Sequence, residues 1–169
     1  MIIWITGLSG AGKTTIGRRL YEKIKAGWTN TVFLDGDVLR ELMGHDLGYS
    51  LEDREKNAWR ICRLCRWLDA QEIHVVCCVL SVISGVHHWN RMNYKQYFEI
   101  YIDVSWENLI QRDTKNLYQP ALEGRLANVV GVDIDYQPPP RSDYVIDNNI
   151  FVDPDETAEK ILNHLPVFQ

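Results

Sequence analysis

Gly7-Leu8-Ser9-Gly10-Ala11-Gly12-Lys13-Thr14 fills every fixed position of the pattern G-x-x-x-x-G-K-[ST]. The apolar run Ile2-Ile3-Trp4-Ile5-Thr6 precedes it and reads as a short buried strand. A helical pattern follows, with Ile16, Leu20 and Ile24 spaced four apart. Strand, glycine loop and helix together separate a phosphate-binding loop from a glycine-rich turn that binds nothing. Glycines let the backbone curl so that successive N–H groups converge on phosphate oxygens, and the helix N-terminus adds partial positive charge. The loop therefore predicts a nucleoside triphosphate wrapped by Gly7, Ser9, Gly10, Ala11, Gly12 and Thr15. Lys13 would reach its β- and γ-phosphates, and the Thr14 hydroxyl would ligate Mg²⁺. The loop alone does not say what is done with the triphosphate.

Outward from the loop, strand-like runs alternate with helix-like ones. Strands are predicted over 2–6, 31–35, 73–80, 98–103 and 144–147, and helices over 13–26, 37–43, 52–71, 106–113 and 155–164. Ser50 followed by Asp53 and the run Asp153-Pro154-Asp155-Glu156 supply helix starts, and Gly27 supplies a stop. Alternation with buried strands predicts an α/β fold, a mainly parallel five-stranded sheet with helices on both faces. Such sheets bind ligands at the carboxyl ends of their strands, which selects the loops 7–14, 35–40, 81–91 and 104–105. The stretch from about 112 to 141 is the least regular. It reads either as a lid over the nucleotide or as an ordinary charged surface loop.

A chain of 169 residues is expected to be one domain over 1–169. The net charge of −5 gives no basic excess for a nucleic-acid polymer, although a small anionic substrate needs only a local cluster of Arg and Lys. The first apolar run is too short for a signal peptide, and no stretch approaches the roughly eighteen apolar residues of a membrane span, so the expectation is a cytoplasmic protein with no membrane partner. Cys62 and Cys65 form a C-x-x-C, and Cys77 and Cys78 are adjacent. The first pair lies on a helical apolar stripe with Ala58, Ile61 and Leu68, and the second lies inside a strand-like run. That placement favours reduced core cysteines over a zinc site.

The second strand ends in Leu34-Asp35-Gly36-Asp37. Two carboxylates at that edge fall beside the γ-phosphate, where one can serve the metal and the other can accept a proton from an attacking hydroxyl. The third strand ends without an Asp, and no N-K-x-D is present, so a small-molecule kinase is favoured over a motor or a GTPase switch. Arg40, Tyr49, Arg54 and Asn57 then read as an anion-plus-base pocket. Arg54 and Asn57 share a helix face, arginine grips anions through its planar fork, and Tyr49 can stack on a heterocycle.

The runs GLSGAGKTT, LDGDVLR, DLGYSLEDREKN, RDTKNLY and NVVGVD resemble the adenylylsulfate kinase family in order and spacing, over about residues 2–148. The resemblance implies a P-loop kinase fold and transfer of the ATP γ-phosphoryl group to the ribose 3′-hydroxyl of adenosine 5′-phosphosulfate. It implies Asp37 as base, Asp35 on the Mg²⁺ side, Arg112 and Lys115 in the ATP lid, and an acceptor pocket of Arg40, Tyr49, Arg54, Asn57, Ser81, Val129 and Val132. Relatives of this kind are often dimers, so a homodimer is a further expectation. The chain departs from the pattern at three places. The family's I-S-P-Y-R is Leu80-Ser81-Val82-Ile83-Ser84, its N-F-T-G-I-D is Asn128-Val129-Val130-Gly131-Val132-Asp133, and its K-G-L-Y is Lys115-Asn116-Leu117-Tyr118. Val129 loses an aromatic face worth on the order of 1 kcal/mol against adenine. The donor side is intact and the acceptor side altered, so two acceptors stand open. Adenosine 5′-phosphosulfate comes first, and the cytidine diphosphoramidate of capsule-pathway relatives is a close second. A non-catalytic nucleotide-binding module is the rival of another class, and the carboxylates at 35 and 37 speak against it.

Overall fold

A computed structural model describes residues 1–166; the last three residues of the single domain expected over 1–169 lie outside the described residues. Five strands, β1 (Ile2–Thr6), β2 (Thr31–Asp35), β3 (His74–Cys78), β4 (Tyr97–Asp103) and β5 (Tyr144–Asp147), form one sheet in the order β2-β3-β1-β4-β5. Every pairing is parallel. The helices are α1 (Lys13–Gly27), α2 (Gly36–Leu42), α3 (Leu51–Ala70), α4 (Ser84–Asn93), α5 (Trp106–Arg112), α6 (Tyr118–Leu122) and α7 (Pro154–His164).

The period-two alternation of a strand divides the core between the two sheet faces. Ile3 and Ile5 of β1 pack with Ile16, Leu20 and Ile24 of α1 and with Ala158 and Ile161 of α7. Ile2 and Trp4 point the other way, into Ile61, Cys62, Cys65 and Leu68 of α3 and Val86 of α4. All four cysteines are free and buried, as the core reading expected, and burial pushes the Cys62 thiol up to about 12. Local signals set the helix starts. Ser50 Oγ accepts from Asp53 N at 3.2 Å, and an Asp153 carboxylate oxygen accepts from Asp155 N at 2.9 Å with Pro154 in the first turn. Among the described residues no helix is long and apolar enough to cross a membrane.

Two segments differ from expectation. The third strand stops at Cys78 rather than 80, and most of the predicted loop 81–91 is helix α4. Its first residues have no side-chain cap, and its apolar residues are few, Val86, Trp89 and Met92, among Gly85, His87 and His88. Tertiary contacts hold it instead. His87 Nδ1 lies 2.7 Å from an oxygen of the fully buried Glu99, which also accepts from Tyr97 Oη at 2.6 Å. The second segment is 112–141, which contains α6. The Asp113 carboxylate accepts from the N–H groups of Leu117, Tyr118 and Gln119 at 2.8–3.2 Å.

Sheet order places the site. β1 is central, and the chain goes from it toward β2 and β3 on one side and β4 and β5 on the other. Its carboxyl end is therefore the topological switch point, where open α/β sheets leave a crevice.

Candidate active site

The phosphate loop occupies that crevice between β1 and α1. Gly12 has φ +99°, and a Cβ there would lie 2.9 Å from Asn148 Nδ2. At Gly7 a Cβ would lie 2.7 Å from the Ile102 carbonyl oxygen. The loop passes too close to its neighbours for side chains at these points. Asn148, just after β5, donates from Nδ2 to Ala11 O at 2.9 Å and so straps the loop down.

Lys13 curls back over the loop, its Nζ donating to Gly7 O and Leu8 O, each at 2.8 Å. Burial lowers its pKa to about 8. Between about 8 and 10.5 the unfolded chain binds more protons at this residue than the folded one, so its contribution to stability rises with pH across that window. A phosphate anion placed against the ammonium would oppose the burial and restore the proton.

Asp35 ends β2 and is 8% exposed. One of its oxygens accepts from Thr14 Oγ1 at 2.7 Å and the other from Asp37 N at 2.9 Å. A hydroxyl and a carboxylate side by side at the start of α1 form a hard-oxygen pair that fits Mg²⁺. Among the described residues no cluster of three or more His, Cys, Asp or Glu side chains is placed to hold a metal ion, so phosphate oxygens and water would complete such a site. Asp37, in the first turn of α2, is 60% exposed and forms an ion pair with Lys115 Nζ.

These groups open onto one cavity of about 490 Å³. Ser9, Gly10, Gly12, Lys13, Thr14 and Thr15 form its floor. Asp35, Asp37 and Lys115 line its middle, and Tyr49, Arg54 and Val129 its far wall. Arg54 connects the two loops of that wall, with Nε donating to Tyr49 O and a terminal N–H to Asn128 O, both at 2.8 Å. Burial and the like charge of Arg40 lower its pKa. Its guanidinium lies 5.4 Å from the Tyr49 ring centroid, and that of Arg40 lies 5.0 Å from it.

Not every expected residue faces the cavity. Arg40 is 7% exposed and donates to Gly48 O at 2.7 Å, so it holds the loop that carries Tyr49. Asn57 and Ser81 are buried, and Val132 packs against the core; none of the three lines the cavity. Arg112 turns to the loop after β5, donating to Asn148 O at 2.8 Å. Of the phosphate-loop residues, Gly7, Leu8 and Ala11 lie outside the lining. The segment 112–141 meets the phosphate loop at Tyr118 and is otherwise largely exposed. Tyr118 is 1% exposed and its hydroxyl donates to Ser9 O at 2.8 Å, while Val129 and Val130 are buried. The strap Asn148 and the anchor Tyr118 escaped the sequence reading. The carboxyl-end rule could have found Asn148, because it follows the fifth strand; nothing periodic marks Tyr118.

A phosphate loop, a Thr–Asp oxygen pair and a second carboxylate thus open onto one cavity. The sequence matches the adenylylsulphate kinase family over residues 1–147. The chain belongs to that family. It is 42% identical over 164 residues to the cytidine diphosphoramidate kinase of Campylobacter jejuni, covering 97% of this chain and 95% of the relative. It is 34% identical over 170 residues to the adenylyl-sulfate kinase of Pseudomonas aeruginosa, covering 99% of this chain and 86% of the relative. The structure is similar to that of the Mycobacterium tuberculosis APS kinase in complex with AMPPNP and APS, with a TM-score of 0.85, 28% identity, and 96% and 95% of the two chains covered. The family member described here is a phosphotransferase, a nucleotide kinase that uses ATP.

Arg54→Ala is expected to raise the acceptor KM about tenfold to a hundredfold, corresponding to about 1.5–3 kcal/mol for a charge-assisted contact, with the ATP KM little changed. Steady-state kinetics with each substrate varied in turn reads this. Equal effects on both KM values would show that the acceptor wall is not separate from the donor site.

Proposed function

We propose that this kinase transfers the γ-phosphoryl group of ATP to the ribose 3′-hydroxyl of a cytidine nucleotide, cytidine diphosphoramidate, in preference to adenosine 5′-phosphosulfate. The observation that carries this reading is Val129. It is 6% exposed, lies in the acceptor wall of the cavity, and stands where the family pattern has Phe. An aliphatic side chain where the family pattern has an aromatic one removes a stacking face, a loss that the larger adenine would feel more than a pyrimidine. The 42% identity to a cytidine diphosphoramidate kinase across nearly its full length supports the same direction.

The reaction needs little covalent chemistry from the protein. The loop N–H groups from Ser9 to Thr15 and the Lys13 ammonium hold the β- and γ-phosphates. Arg112 and Lys115 belong to the donor side, Arg112 by fixing the loop after β5 and Lys115 by reaching the phosphates. Thr14 and Asp35 would hold a Mg²⁺ ion, which when bound supplies neutralisation of phosphate charge. Tyr49, Arg54 and Val129 seat the acceptor, with Arg40, Asn57, Ser81 and Val132 supporting that wall from behind. The acceptor 3′-oxygen forms the new P–O bond, the bridging β–γ P–O bond breaks, ADP leaves, and the hydroxyl proton passes to Asp37.

ADP release measured with each acceptor, in wild type and in Val129→Phe, tests the proposal. The wild type is expected to show the higher kcat/KM with cytidine diphosphoramidate. Val129→Phe is expected to improve use of adenosine 5′-phosphosulfate about tenfold, equivalent to about 1.4 kcal/mol, and to leave cytidine turnover flat or lower it by overfilling the pocket. Wild-type preference for the sulfate nucleotide would assign the family's other activity. No ADP release with either acceptor would favour a non-catalytic nucleotide-binding module.

A further inference from the structure

The phosphate loop is held from outside as well as by its own residues. Lys13 occupies Gly7 O and Leu8 O, so the loop motif itself ties those two carbonyls. Distant residues tie two others. Tyr118 Oη donates to Ser9 O at 2.8 Å from 109 residues along the chain, and Asn148 Nδ2 donates to Ala11 O at 2.9 Å from 137 residues along. A planar trans peptide sets its C=O and N–H on opposite sides. Ser9 O drawn toward Tyr118 therefore turns the Gly10 N–H the other way, and Ala11 O drawn toward Asn148 does the same for the Gly12 N–H. Gly10 and Gly12 have φ of +77° and +99°, and left-handed residues set between ordinary ones gather N–H groups into an anion-binding concavity. Neither of the two N–H groups has a hydrogen-bond partner among the described residues, and both glycines line the cavity.

The two straps are themselves fixed. Tyr118 opens α6, whose first N–H groups are capped by the Asp113 carboxylate, and its ring stands edge-on to Trp106 with centroids 5.1 Å apart. Burial pushes its hydroxyl up to about 12, so it remains a donor near neutral pH. Asn148 is held through its backbone, its N–H on Asp103 O at 2.9 Å and its carbonyl oxygen under Arg112 at 2.8 Å. A loop fixed by such donors has little ordering left to lose when a ligand binds.

We propose that Tyr118 and Asn148 are positioning residues for phosphoryl transfer: by drawing Ser9 O and Ala11 O toward themselves they aim the Gly10 and Gly12 N–H groups at the triphosphate. The assignment rests on the loop as the ATP site. Neither residue belongs to the loop motif and neither lines the cavity, so each acts through the backbone that it holds. Donors aimed in advance need no reorganisation as charge shifts among the phosphate oxygens. A misplacement of about 1 Å in such a site costs on the order of a hundredfold in rate, so a strap that limits smaller excursions has a measurable effect.

Tyr118→Phe deletes one donor and keeps the ring on Trp106, and Asn148→Ala deletes the other. Each is expected to lower kcat/KM for ATP about tenfold and to leave the acceptor KM within about twofold of wild type. Inorganic tripolyphosphate has the phosphates of ATP and neither base nor ribose. Its inhibition constant against ATP is expected to rise several-fold in both variants, which ties the loss to the phosphate cradle. A purely structural role would instead lower Tm and leave the ATP and tripolyphosphate values at wild type; that result in either variant would overturn the assignment of its residue. Equal rises in the ATP and acceptor KM would also overturn it, by showing a loosened site rather than a misaimed loop. Lys13→Met separates the two levels of the argument. If tripolyphosphate inhibits that variant as it does wild type, the loop is not the phosphate site, and the roles of Tyr118 and Asn148 fall with it.

Discussion

Lys13→Met is expected to lower kcat/KM about a hundredfold to a thousandfold, the range for removing one preorganised contact to charge that grows in a transition state. The fold should survive, because among the described residues Nζ is bonded only to two loop carbonyls, Gly7 O and Leu8 O, while the α1 core contacts of Ile16, Leu20 and Ile24 are untouched. The same residue gives a pH signature. With its pKa lowered to about 8 by burial, the free enzyme holds the ammonium fully charged only below that value. An anionic triphosphate favours the charged form, so ATP affinity should be greatest below pH about 8 and fall as pH rises through it. Binding above that pH should therefore take up protons, which calorimetry in buffers of different ionisation enthalpy measures directly. Lys13→Met should abolish the uptake. Near wild-type turnover in the variant, or uptake that persists without the lysine, would remove Lys13 from the phosphate site.

The residues that carried the fold in the sequence were the ones whose signal is local. A glycine loop between an apolar run and a four-residue period marks the switch point of the sheet. Ser50 and Asp153 announce their helices by side-chain oxygens that reach only two or three residues along the chain. Helix α4 was illegible because what fixes it is distant: the bond from His87 to Glu99 and the packing of Val86 on the far side of the sheet. The packing of 112–141 was illegible for the same reason, since Tyr118 finds its partner in Ser9, 109 residues earlier. Within the site, the sequence placed Arg54 and Asn57 on one helix face, yet only Arg54 reaches the cavity, because the face curves into the core within one turn and buries Asn57. By type and position Arg40 reads as an anion ligand. Backbone carbonyls of the Tyr49 loop occupy it instead, and hydrogen bonds of that kind leave no trace in a sequence.

Asp37→Asn is expected to reduce kcat by about a hundredfold to ten-thousandfold while leaving the ATP KM nearly unchanged. Two carboxylates end the second strand, and their surroundings assign them different tasks. Asp35 is committed: both of its oxygens accept hydrogen bonds, from Thr14 Oγ1 and from Asp37 N, and it is 8% exposed. Asp37 faces the cavity, and among the described residues its side chain pairs only with the ammonium of Lys115, a long side chain that ATP phosphates can draw away. On the proposed mechanism Asp37 is therefore the carboxylate that takes the hydroxyl proton. Asn keeps the size and one oxygen for Lys115 but cannot accept the proton, so binding is preserved and chemistry is lost. The companion change Asp35→Asn should act elsewhere: it weakens the oxygen pair with Thr14 and is expected to raise the Mg²⁺ concentration needed for half-maximal rate. Initial rates for both variants, with ATP, acceptor and Mg²⁺ varied separately, distinguish the two. If Asp37→Asn keeps the wild-type kcat and Asp35→Asn loses it at saturating Mg²⁺, the base is Asp35, and the exposed carboxylate serves only to position Lys115.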